Sequence, residues 1–72
     1  MDADELAARK RRVSSKLLSL QGISGVGLRE GHVAIYLETD TDDVRQRARS
    51  LVEAEVPGTP IAFLVTGAFR KS

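Results

Sequence analysis

The sequence predicts an α+β fold: a two-layer αββαβ sandwich with two helices on one face of a three-stranded sheet. Two stretches repeat apolar residues at helical spacing, and three shorter ones alternate them every second residue. Glycine, proline and Asp/Thr clusters separate the five stretches.

The first helix is expected over residues 2–20. Asp2 and Glu5 have the spacing of a capping box, and Ala, Leu, Lys and Arg dominate the rest of the segment. Leu6, Val13, Leu17 and Leu20 fall on one stripe. Gly22 suits a helix C-cap, and Lys16 favours the helix dipole near its C-terminal end.

Residues 23–29 and 32–38 read as a hairpin. Glu30-Gly31 supplies a two-residue turn, with glycine able to take a positive φ. In the second strand Val33, Ile35 and Leu37 alternate with His32, Ala34, Tyr36 and Glu38. In the first, Ser24, Val26 and Leu28 alternate with Ile23, Gly25, Gly27 and Arg29.

The second helix is expected over about residues 41–55, capped by Thr39 or Thr41. Val44, Ala48, Leu51 and Val52 form its apolar stripe, and acids crowd its first turn. Pro57-Gly58 ends it. Pro60 opens the third strand, where Ile61, Phe63 and Val65 alternate with Ala62, Leu64 and Thr66. A short basic tail surrounds Phe69 at the C-terminal end.

These elements make a single domain, residues 1–72. A chain this short buries only roughly 60% of the surface its unfolded form exposes, so its stability is marginal. The absence of cysteine excludes disulfides and, with only one histidine, a zinc-finger-type metal site. No cofactor is expected. The acidic start, Met1-Asp2-Ala3-Asp4-Glu5, is unlike a signal peptide, and no apolar run is long enough to span a membrane. The expected location is cytoplasmic.

Eleven Lys+Arg against ten Asp+Glu argue against a dedicated nucleic-acid binder. The charges are nevertheless grouped. Arg9, Lys10, Arg11 and Arg12 form a basic run, and Glu38, Asp40, Asp42 and Asp43 an acidic one. Arg9, Arg12 and Lys16 share a helix face. The acidic run lacks the glycine and distal glutamate of a calcium loop, so helix capping explains it better. His32 has no sequence neighbour that would make it a catalyst. No catalytic triad or carboxylate pair can be assembled, and the chain is not expected to be an enzyme.

If both helices pack over Val26, Leu28, Val33, Ile35, Leu37, Ile61, Phe63 and Val65, the opposite face carries Ile23, Gly25, Gly27, Ala34, Tyr36, Ala62 and Leu64. That face is smooth and partly apolar, and a monomer rarely leaves such a patch uncovered. The third strand is also a candidate edge. The expected interface residues are Ala34, Tyr36, Ala62, Leu64 and Phe69. A second copy, the chain's own tail with Phe69, or another protein could cover the patch.

Two glycine-rich readings compete. Gly22 to Gly27 does not follow a strand and open a helix, as a phosphate-binding loop does. Gly22-Ile23-Ser24-Gly25 is a literal G-x-x-G, like the loop of KH RNA-binding modules. With the basic helix it makes Arg9, Arg12, Lys16, Gly22 and Gly25 the candidate nucleic-acid residues of an alternative reading.

The stretches Leu18 to Gly27, Val33 to Asp40, Val56 to Ile61 and Val65 to Phe69 together resemble a small bacterial module found upstream of trypsin-like serine protease domains and also alone. The resemblance spans residues 16–70 and rests on glycines and strand residues. It implies an accessory role with no catalytic residues to carry over. The element order also resembles iron–sulfur assembly domains of the NifU C-terminal type and prokaryotic KH-like folds. The cysteine pair of the former is missing here, which removes that chemistry. The leading expectation is a non-enzymatic interaction module that self-associates as a homodimer through the outer sheet face or an edge strand.

Overall fold

The computed structural model describes residues 2–65. Its element order is α1 (Ala3–Leu18), β1 (Ile23–Arg29), β2 (His32–Leu37), α2 (Asp42–Glu55) and β3 (Ile61–Val65). The three strands form an open mixed sheet in the order β1-β2-β3. β2 runs antiparallel to β1 and parallel to β3. The hairpin turn places Gly31 at φ +79°, a conformation that a side chain would disfavour.

Leu6, Val13 and Leu17 of α1 meet Val33, Ile35 and Leu37 of β2 in one core, which Ala48 and Val52 of α2 complete. Val26, Ile61 and Phe63 pack against its margin. The even positions of β2 and β3 fall on the opposite face: Ala34 pairs with Ala62, and Tyr36 with Leu64. Both helices therefore lie on one side of the sheet.

Four details differ from the sequence expectation. First, Ile23 belongs to the core instead of the outer face. The register of β1 against β2 shifts between Ile23 and Gly25, leaving Ile23 opposite Leu37 and Gly25 opposite Tyr36. Ser24 is the extra residue of a β-bulge, and the bulge reverses the alternation for everything before it.

Second, α1 stops at Leu18 with Ser19 as its C-cap, so Gly22 is not the cap residue. Gly22 shapes the turn into β1 at φ +95°. Its carbonyl accepts from the Glu38 N–H at 2.8 Å and the Thr39 N–H at 3.2 Å.

Third, Asp2 is the N-cap of α1, but its side chain makes no capping bond. The carboxylate of Glu5 accepts from Arg9 at 3.0 Å instead of turning back to the cap. Thr41 does cap α2, accepting from the Val44 N–H at 3.2 Å.

Fourth, Leu28 and Val65 lie on edge strands near the strand ends, and they remain 44% and 39% exposed.

Candidate functional site

Tyr36 organises the outer face. It stands on the central strand, and its ring runs along β1 above two glycines. A methyl group on Gly27 would lie 3.3 Å from Tyr36 Cε2 and 3.5 Å from its hydroxyl. One on Gly25 would lie 3.5 Å from Cδ2. The glycines thus form a trough that lets an aromatic side chain lie flat on the sheet.

Three of the five candidate interface residues keep accessible surface on this face. Tyr36, Ala62 and Leu64 are half-buried, and no described helix crosses them. Ala34 is a correction to the patch. It belongs to the same face but is fully buried. Its small side chain sits on the central strand between His32 and Tyr36, with Gly27 and Ala62 beside it. It underlies the patch without offering contact area. Phe69 and the tail that might cover the face lie outside the described residues.

The residues of the nucleic-acid alternative are placed differently. Arg9 crosses from α1 to the loop before β3. One guanidinium nitrogen donates to the Pro57 carbonyl and to Thr59 Oγ1, each at 2.9 Å. Thr59 is buried, and its hydroxyl donates to the Val56 carbonyl at 2.7 Å. Arg9 therefore ties α1 to the loop between α2 and β3, with three acceptors around a side chain that is 26% exposed.

Lys16 pairs with Glu55 at 2.8 Å, and Arg12 lines the same groove between α1 and the end of α2. The hydrogen bond from Lys16 holds the Glu55 carboxyl below its ordinary range, and the charge of Arg12 adds to the effect. The basic face of α1 is thus turned toward α2. Gly22 is packed against Val44 and Thr39, and Gly25 lies under Tyr36. The G-x-x-G stretch is a turn followed by a bulge, not a loop between helices.

The acidic run is likewise engaged. Asp40 accepts from Arg45 at 2.6 and 3.2 Å, which holds the Asp40 carboxyl below its ordinary range. Asp43 pairs with Arg47 at 3.3 Å. Among the described residues, no group of three His, Asp or Glu side chains could hold a metal ion. No described helix is long and apolar enough to cross a membrane.

Sequence reasoning missed a cluster beside β3. Arg45 and Arg49 place their guanidinium carbons 5.2 and 5.5 Å from the Phe63 ring centroid. Their i,i+4 spacing was legible as a shared helix face, but nothing in the sequence pointed that face at Phe63. The fold and these surfaces define a small open-sheet α+β module in which, among the described residues, no element lies over the sheet face opposite the helices and two arginines of α2 stand over Phe63 of β3. Compared with known proteins, the chain matches no family model, no curated protein and no solved structure.

Proposed function

We propose that this chain is a non-enzymatic interaction module that associates with a second copy of itself through the outer face of its sheet. The observation that carries the reading is the strand register. It sets Tyr36, Ala62 and Leu64 on the face opposite both helices, with no described element over them. A chain of 72 residues has little core to spare, so covering these groups would add materially to its stability. The flat Tyr36 ring, fixed over Gly25 and Gly27, presents a rigid aromatic surface at low entropic cost.

The nucleic-acid alternative draws less support. Arg9 and Lys16 already have partners within the fold, and Gly25 lies beneath Tyr36.

Light scattering across a concentration series tests the proposal. The protein is expected to approach the mass of a dimer at high micromolar concentration. Leu64→Asp, which places a charge in the patch, is expected to return it to a monomer with an unchanged circular dichroism spectrum. A strict monomer at every concentration, unaffected by Leu64→Asp, would overturn the reading.

A further inference from the structure

The two sheet edges are not equivalent. β1 carries the protective features usual at an edge: a bulge between Ile23 and Gly25, and Arg29 at its end. β3 has neither. Ile61–Val65 contains no charged residue, and its register against β2 is unbroken.

The direction of its backbone groups follows from one hydrogen bond. The Val33 N–H donates to the Pro60 carbonyl at 3.0 Å. Positions 60, 62 and 64 therefore face β2, and Ile61, Phe63 and Val65 turn their N–H and C=O groups outward. Among the described residues no strand meets them.

On the helix side, this edge is overhung by Arg45 and Arg49, both against the Phe63 ring. Arg45 is neutralised by Asp40. Arg49 makes no ion pair among the described residues, although Asp42 and Glu53 lie toward the two ends of the same helix face. Arg49 is therefore an unpaired guanidinium at the centre of the edge among the described residues.

A second copy suits this edge poorly. Antiparallel pairing of β3 with itself about Phe63 would bring the unpaired Arg49 guanidinium of each copy toward the other, and like charges set opposite one another destabilise a strand pair.

We propose that the β3 edge accepts an extended acidic peptide segment as a fourth strand. Its backbone bonds to Ile61, Phe63 and Val65. A carboxylate on its helix-facing side pairs with Arg49 beside the Phe63 ring, and its alternate side chains are apolar and lie next to Ala62 and Leu64. Strand addition of this kind takes affinity from the main chain and selectivity from alternate side chains. The backbone bonds and the Arg49 contact belong to the β3 edge and not to the self-association face, although the peptide's apolar side chains reach the margin of that face at Ala62 and Leu64; N-methylation and Arg49→Glu test the edge contact alone.

Fluorescence anisotropy tests it with a dye-labelled synthetic peptide of alternating valine and glutamate. Its controls are the valine–lysine counterpart and a copy N-methylated on the bonding amides. The acidic peptide is expected to bind saturably, and the other two to bind at least about tenfold more weakly. Arg49→Glu is expected to weaken binding by a similar factor. So is Val65→Pro, which removes an outward N–H without breaking a bond to β2. The N-methylated peptide needs no protein variant, so the outcome does not depend on whether the variants fold. Equal binding of acidic and basic peptides, binding unaffected by N-methylation or by Arg49→Glu, or no binding of the acidic peptide would overturn the proposal.

Discussion

Two residues show how much of this small protein is held by single contacts. At Gly22, φ is +95° and an added methyl group would sit 2.9 Å from Val44 Cγ2. Gly22→Ala therefore combines backbone strain with a steric clash and is expected to lower the unfolding free energy by about 2 kcal/mol in urea titration. At Arg9, removal of the guanidinium leaves the Pro57 carbonyl without that donor and strips one partner from buried Thr59. Arg9→Met is expected to cost about 1 kcal/mol, less than is usual for a hydrogen bond to a charged group because the side chain is partly solvated. The Glu5–Arg9 pair was legible from spacing alone, since positions four apart share a helix face. The contacts to Pro57 and Thr59 were not, because they join positions about fifty residues apart and depend on how the loop before β3 passes α1.

The elements were more readable than their ends. Alternation identified all three strands, and helical spacing both helices, because burying one face imposes a period that side-chain chemistry must follow. The β1 face differs from strict alternation at one position. Ile23 was the one large apolar residue in an otherwise small outer set, Gly25 and Gly27, and that mismatch was the only trace of the bulge. Strict alternation cannot represent an inserted residue.

At the start of α2, Thr41→Ala removes the bond to the Val44 N–H and is expected to cost about 1 kcal/mol, read as a lower denaturant midpoint at unchanged slope. Glu55 and Asp40 give the elements an acid-sensitive contribution. Both carboxyls are held below their ordinary values, through Lys16 and Arg45 respectively. The stabilisation is therefore complete above the unfolded-state values, about 4. It is lost as pH falls through the lowered folded-state values. Thermal melts of Glu55→Gln are expected to show a shallower decline between neutral pH and strong acid than the parent protein. A parallel decline would show that the Lys16–Glu55 pair contributes nothing to folding.

At the scale of the whole molecule, the two-layer architecture was legible because five periodic stretches in this order have few ways to bury their apolar sides. The separation of outer and inner faces followed from β2 and β3, whose register is regular. The exposed set was not fully legible. Ala34 carries the right parity but lies fully buried on the central strand, which parity alone does not show. The arginines over Phe63 were not legible either, since their placement depends on which face of α2 overhangs β3. What emerges is a division of surfaces. The helices close one side of the sheet, Tyr36 and Leu64 mark the other, and Arg49 guards the β3 rim.

Tyr36 is the only tyrosine of a chain without tryptophan, so its fluorescence reports directly on the outer face. The decisive measurement is acrylamide quenching of that fluorescence from low to high micromolar protein, in parallel with Leu64→Asp. Self-association through the outer face requires quenching to weaken as the parent protein is concentrated and to stay constant in the variant. A quenching constant that does not change with concentration in a protein that nevertheless dimerises would place the contact elsewhere and contradict the account.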